Sequence, residues 1–195
     1  MIGLVGVTKR YGEQVVLDGL DLDLPDGRVT ALMGPNGSGK TTIARLLLGL
    51  ERPDAGTVQA PRHRSAAFQE DRLCGQLTAV RNVRLALDRT VDGAVVEAEL
   101  RAVGLDDDAL RKPVRELSGG QRRRVAIVRA LMPRAELTVL DEPFKGLDSA
   151  AREQMIDHIR AAHALTPGRA MLLITHDRLE AEWFAAPVVE LPARR

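Results

Sequence analysis

The chain has 195 residues, a formal net charge of +1, and 45% hydrophobic against 28% charged residues, the mix of one globular domain, or of one domain with a small inserted lobe. So even a charge balance gives no general field for nucleic acid or a membrane surface. No run approaches the roughly 18 to 20 apolar residues of a membrane span, so a membrane role would have to come through a partner. Aromatics are 3% of the chain, which leaves Leu, Val, Ala and Ile to fill the core. A single cysteine, Cys74, can form neither an internal disulfide nor a metal site and reads as a half-buried thiol in a reducing cytosol. The opening residues lack the shape of a signal peptide, so the expected location is cytoplasmic. Lysine is scarce and stands only at Lys9, Lys40, Lys112 and Lys145.

Alternating apolar residues predict a strand over 2–7, and strands over 14–17 and 20–24 separated by an Asp18-Gly19 turn. A short apolar run at 29–33, bounded by turn residues, suits a buried parallel strand. A glycine-rich loop follows, then a helix over 40–50 with Ile43, Leu46, Leu47 and Leu50 on one face. Short strands are expected at 57–59 and 65–68. Between about 73 and 116 the strand signal disappears. Thr78 can cap a helix carrying Val80, Val83, Leu85 and Leu87, and a second helix over 94–103 stops at Gly104. A Ser-Gly-Gly break leads into a helix over 121–132, then a buried strand at 137–141. A helix over 151–162, a buried strand over 170–175 and a last strand at 188–191 complete an alternation that means an α/β sheet with covered faces.

Gly34-Pro35-Asn36-Gly37-Ser38-Gly39-Lys40-Thr41 fits G-x-x-x-x-G-K-[ST], with the strand before and the helix after that this pattern requires. Glycines let the backbone turn so that successive N–H groups face a phosphate chain, and the helix N-terminus adds its positive end. Lys40 reaches the β- and γ-phosphates, the Thr41 hydroxyl binds Mg²⁺, and Thr42 follows on the same turn. The strand at 137–141 ends in Asp141 and Glu142, at the carboxyl edge where ligands of open α/β sheets sit. Asp141 is placed to hold Mg²⁺, and Glu142 to polarise an attacking water. Ser118-Gly119-Gly120-Gln121, ahead of a helix, is a second anion cradle built on the same physics. Two cradles and one acidic strand end make sense if the second serves a nucleotide held by another subunit.

Leu117-Ser118-Gly119-Gly120-Gln121, with the motifs in order around it, resembles the nucleotide-binding subunits of ABC transporters, and the likeness runs along nearly the whole chain. The resemblance implies a P-loop NTPase α/β sheet domain with an N-terminal antiparallel β subdomain and a small inserted helical subdomain. Residues 1–195 would be a single ATPase domain, with 1–72 and 117–195 as catalytic core and 73–116 as helical subdomain, the signature at its end. It implies ATP and Mg²⁺, with ATP sandwiched between one subunit's phosphate loop and its partner's signature. Tyr11 matches the aromatic that stacks on adenine. Gln69 matches the glutamine linking Mg²⁺ and water to the transmembrane partner. Asp141 and Glu142 match the metal-holding acid and the catalytic glutamate. Asp148, in Gly146-Leu147-Asp148, matches the residue that reaches across the dimer, and His176 the histidine at the γ-phosphate.

Phe68-Gln69-Glu70-Asp71-Arg72-Leu73, Leu77-Thr78-Ala79-Val80-Arg81-Asn82-Val83 and Asp141-Glu142-Pro143-Phe144 look like the nitrate, sulfonate and taurine importer subfamily. The partners this implies are a second ATP-binding subunit, separate transmembrane permease subunits and an extracytoplasmic solute-binding protein. The subunit would sit peripherally on the cytoplasmic face of a bacterial cell membrane, with no nucleic acid among its partners. An exporter or lipoprotein-release motor shares the same motifs, and a soluble ABC ATPase, as in iron–sulfur assembly, stays open. The chain is shorter than most transport subunits and ends soon after the His176 strand. Lys145 stands where small residues are commoner in the family. His63, His158 and His163 have no motif context and are expected at the surface. The basic run Arg122-Arg123-Arg124 is expected on a solvated face, with Val125, Val128 and Met132 inward.

Overall fold

A computed structural model of the chain describes residues 1–193. They form two compact units: 1–66 with 135–141 and 167–193, and 67–134 with 142–166.

The first unit carries two sheets. Strands β1 (Ile2–Tyr11), β2 (Gln14–Leu24) and β4 (Ala55–Gln59) form an antiparallel sheet in the order β2-β1-β4. Strands β3 (Val29–Met33), β5 (Arg64–Ala67), β6 (Leu137–Asp141), β7 (Ala170–Ile174) and β8 (Val188–Glu190) form the second, in the order β5-β6-β7-β3-β8. The pairs β6 with β7, β7 with β3 and β3 with β8 are parallel. Every residue of β3, β6 and β7 is buried, as near-continuous apolar runs in a parallel sheet must be. Helix α1 (Lys40–Leu47) packs Ile43, Ala44, Leu46 and Leu47 into one core with Leu4, Leu24, Leu32, Val139 and Leu172. A short helix α7 (Arg178–Trp183) follows β7.

The second unit is helical: α2 (Ala79–Arg84), α3 (Gly93–Ala102), α4 (Asp107–Arg111), α5 (Gly119–Leu131) and α6 (Ser149–Ala164). Helix α2 packs on α3, α4 and α5, and α5 on α6. Asn82, fully buried on α2, accepts from Cys74 N at 2.8 Å and donates to the Cys74, Leu77 and Thr78 carbonyls, so a buried amide closes the loop ahead of its own helix.

Several sequence expectations are corrected. The region 14–24 is one strand, because Gly19 (φ 58°) absorbs a left-handed kink inside the ladder instead of ending it. Helix α1 stops before Leu50, which is 58% exposed, because Gly49 at φ 70° supplies the left-handed stop. Helix α2 likewise ends before Leu85 and Leu87, and Leu85 is exposed. Helices α4 and α7 have five and six residues, too few for a helical period to show in sequence. Cys74 is exposed, not half-buried.

Candidate functional site

Three parallel strands deliver their carboxyl ends side by side. Leu32 of β3 is in register with Ile174 of β7, and Ile174 with Asp141 of β6. The phosphate loop opens at Gly34, just beyond Leu32 and Met33. His176 stands just beyond Ile174 and Thr175, and Asp141 is itself the last residue of β6. One sheet edge therefore brings together the 34–42 loop, Asp141 and His176.

The loop is shaped for a phosphate chain. Gly34 (φ 148°) has no room for a side chain: a Cβ there would meet Leu191 O and Ser38 Oγ, both at 2.9 Å. Gly39, the N-cap of α1, takes φ 105° and offers no side chain to cap the helix, whose first turn holds no acid. The positive helix end is thus left for an anion. Lys40 folds back and donates from Nζ to Gly34 O at 2.7 Å and Pro35 O at 2.9 Å, over the mouth of the loop. Ser38 is 6% exposed and its Oγ has no hydrogen-bond partner among the described residues. A buried unpaired hydroxyl is costly, and an oxygen-rich ligand at the loop would satisfy it. A cleft of about 540 Å³, lined by Gln14, Val16, Leu20, Ser38, Leu191 and Pro192, reaches the loop from β2, within the usual size of small-ligand sites. Pro35, Asn36, Gly37 and Thr41 are exposed, and Thr42 is buried on α1.

Around this edge the side chains are held by local hydrogen bonds. The Thr175 hydroxyl donates to Glu180 Oε2 at 2.6 Å and accepts from Asp177 N at 3.0 Å, and Asp177 caps α7, which fixes the turn bearing the exposed His176. Thr138, in the middle of β6, meets Ser65 of β5 hydroxyl to hydroxyl at 3.0 Å. Tyr11, at the end of β1, is 44% exposed; its hydroxyl donates to the Glu51 carboxylate, and Lys9 Nζ stands 5.5 Å from its ring.

On the second unit lies the Ser118 cradle. Ser118 Oγ accepts from Gln121 N at 3.1 Å, and Ser118 N donates to Gln121 Oε1 at 2.8 Å, a reciprocal capping box at the start of α5. Gly119 opens onto free space, while a Cβ at Gly120 would lie in ordinary contact with Gly146 O and the Leu147 side chain, both at 3.6 Å. That turn runs into Asp148, which caps α6 by accepting from Ala151 N at 2.8 Å. Gln69 is exposed. Glu142 takes a left-handed φ of 47°, a conformation costing a residue with a side chain about 1–2 kcal/mol. Lys145 Nζ lies 3.2 Å from Glu142 Oε2, with the lysine 58% exposed.

The Arg122-Arg123-Arg124 run is corrected by the structure. Arg123 is 4% exposed and donates to Pro143 O at 3.2 Å, Glu142 O at 2.7 Å and Phe68 O. Arg122 donates to Leu117 O, and Arg124 to Gly120, Val103 and Gly104 carbonyls. Burial lowers the Arg124 pKa from its ordinary value. These arginines tie backbone together, so their charge is not spread on a solvated face. His158 is corrected too: its side chain is 9% exposed, 3.6 Å from Glu99. No helical period shows that an arginine will turn inward to carbonyls, which is why the inward turn of Arg123 does not show in the sequence. The signal available was the unbroken company of Val125, Ala126, Ile127 and Val128, all buried, right after the run.

The family model described as ABC transporter matches residues 17–145. The chain is 42% identical to the aliphatic sulfonates import ATP-binding protein SsuB 3 of Paraburkholderia xenovorans, over 100% of this chain and 78% of the relative. It is 41% identical to SsuB 1 of Nocardia farcinica, over 100% and 79%, and 44% identical to SsuB 1 of Pseudomonas fluorescens, over 95% and 71%. Among solved structures it is similar to the dimeric structure of MJ0796, a bacterial ABC transporter cassette, with a TM-score of 0.86 and 28% identity over 98% and 94% of the two chains. The dimeric post-hydrolysis state of that cassette, bound to ADP and Pi, gives a TM-score of 0.87 at 26% identity over 100% and 97%.

Proposed function

From the premise that this chain belongs to the ABC transporter family, we propose that it is the ATP-binding and ATP-hydrolysing subunit of a bacterial importer of aliphatic sulfonates. Likeness over its whole length to several sulfonate import ATP-binding proteins carries this conclusion. The uncapped glycine loop beside Asp141 and His176 supplies the chemistry.

The loop amides of 34–39 and the Lys40 ammonium hold the β- and γ-phosphates of ATP, and the unpaired Ser38 hydroxyl gains a partner there. Tyr11 stacks on the adenine once its ring leaves Glu51. Among the described residues no three His, Cys, Asp or Glu side chains gather as a metal cage. That fits magnesium, which favours one or two carboxylates plus substrate phosphates; Thr41, Asp141 and Gln69 are the protein groups that would hold it. Bound there, the ion supplies charge neutralisation to the phosphates. Glu142 orients and polarises the attacking water, and His176 contacts the γ-phosphate. Ser118, Gly119, Gly120, Gln121 and Asp148 serve the nucleotide held by a second copy of the chain.

The unit of action is a pair of such subunits on separate permease subunits, the whole chain working as one ATPase domain with 73–116 as its helical lobe. As in an import ATP-binding subunit, attachment is peripheral, at the cytoplasmic face, through the permease; among the described residues no helix is long and apolar enough to cross a membrane. An extracytoplasmic solute-binding protein completes the importer.

Affinity-tagged chain extracted from native membranes in mild detergent with ATP tests this. A small permease and an extracytoplasmic binding protein that takes aliphatic sulfonates should co-purify. A permease with a large periplasmic domain and no binding protein, or soluble partners alone, would overturn the importer assignment.

A further inference from the structure

Arg123 lies on the second turn of α5, just past the Ser118 cradle, and is 4% exposed. Its guanidinium reaches two separate stretches of chain at once. Toward the segment bearing Gln69 it donates to the Phe68 carbonyl, and Nη1 stands 3.4 Å from Asp71 Oδ1. Toward the turn bearing Glu142 it donates from Nη2 to the Glu142 carbonyl at 2.7 Å and from Nε to the Pro143 carbonyl at 3.2 Å. Six residues along the same helix, Arg129 donates to the Asp71 and Arg72 carbonyls at 2.9 and 2.8 Å, which pins the far end of the Gln69 segment.

A planar fork of fixed N–H directions suits this task. It satisfies carbonyls facing different ways, and it cannot do so unless those carbonyls keep one spacing. Glu142 is the residue that needs such support, because its left-handed φ of 47° is not the conformation a glutamate adopts by itself. Holding its carbonyl holds the direction in which its side chain leaves the backbone. The same group fixes the carbonyl that directly precedes Gln69.

We propose that Arg123 is a positioning residue for ATP hydrolysis: one buried guanidinium sets the backbone of Glu142 and of Gln69 together and ties both to the helix that carries the Ser118 cradle. The inference rests on the assignment of Glu142 and Gln69 made above. It makes the signature helix, the glutamine segment and the catalytic turn a single body, so that engagement of the Ser118 cradle by a partner's nucleotide is felt at the water-activating residues.

The test is the steady-state kinetics of full-length Arg123→Lys and Arg123→Gln, with nucleotide affinity and melting temperature measured on the same preparations. Lysine keeps the charge and loses the fork. The expected result for Arg123→Lys is a fall in kcat of about 10²-fold, the cost of a misplacement of roughly 1 Å at the reacting groups. Nucleotide affinity should be unchanged, since the phosphate loop is built by other elements. Adding Gln69→Ala should then cost much less than it does alone, because the two changes act on one geometry. Hydrolysis at the parent rate, additive losses, or kcat and nucleotide affinity falling together as in a general loosening would each overturn the proposal. If both variants fail to fold, Asp71→Asn, which weakens one contact of the fork, must give a smaller loss of kcat with affinity intact, and an unchanged kcat overturns the idea. Glu142→Gln is measured alongside. Should it hydrolyse at the parent rate, the assignment of Glu142 fails whatever Arg123 does; should it be inactive while both Arg123 variants are normal, only the role of Arg123 fails.

Discussion

The chain contains two glycine-bearing helix starts that a motif search would treat alike, and they are built in opposite ways. At α1 the cap is Gly39, which has no side chain to give, the first turn holds no acid, and the buried Ser38 hydroxyl has no partner among the described residues. At α5 the cap is Ser118, which exchanges two hydrogen bonds with Gln121 and so satisfies the Gln121 amide from within its own chain. One cradle has no side-chain cap from its own chain and the other has one. A helix end with no cap binds an anion to make good its missing partners. A helix end already capped is stable without one and can wait for a ligand brought by another molecule. That contrast is the physical basis for assigning the first to the subunit's own nucleotide and the second to a partner's.

The largest expected effect breaks the first cradle. Lys40→Ala removes the charge over the loop mouth and should lower the rate of hydrolysis by about 10²–10³-fold or more, the range for losing one group that stabilises transition-state charge. Nucleotide affinity should fall with it, as titration with a fluorescent analogue would show. Two serine deletions then set the cradles against each other. Ser118→Ala should cost about 1 kcal/mol of stability, the usual value of a helix cap, with the nucleotide affinity of the single subunit intact. Ser38→Ala should do the reverse: it removes a buried hydroxyl with no partner among the described residues, so thermal unfolding should be unchanged or gain up to about 1 kcal/mol, while nucleotide affinity drops. Equal losses of stability in the two variants would erase the distinction.

The smallest effect lies away from both cradles. Burial of His158 lowers its pKa from the ordinary 6.5, and Glu99 opposes this only in part. A histidine whose folded pKa is depressed binds its proton more readily when unfolded. It therefore favours folding fully above pH 6.5, and that contribution is lost as pH falls from there toward the folded value. Melting temperature should fall across that window, and His158→Gln should flatten the dependence.

Elements with a strong period were legible in the sequence. The buried strands at 29–33, 137–141 and 170–174 stand where the apolar runs put them, and the helix expected at 121–132 is present but starts two residues earlier, at Gly119, with Ser118 as its cap. Motif order placed Gly34, Asp141 and His176 in the chain, and strand register then set them on one edge. The rest depends on tertiary surroundings that no local window contains. Gly19 bends a strand without ending it because β1 continues to pair on both sides of it. Arg123 is charged and buried because carbonyls from residues 55 and 20 positions away turn toward it. His158 is drawn inside by a helix that packs on α5.

Glu142→Gln in the presence of ATP and magnesium tests the central claim most directly, with subunit mass read by light scattering. If the capped cradle of one subunit serves the nucleotide in the uncapped cradle of another, this variant should bind ATP, fail to hydrolyse it and accumulate as a dimer, and Ser118→Arg on top of it should return the protein to monomer without loss of ATP binding. A Glu142→Gln protein that stays monomeric with ATP bound, or whose dimer survives Ser118→Arg, would contradict the division of labour between the two cradles.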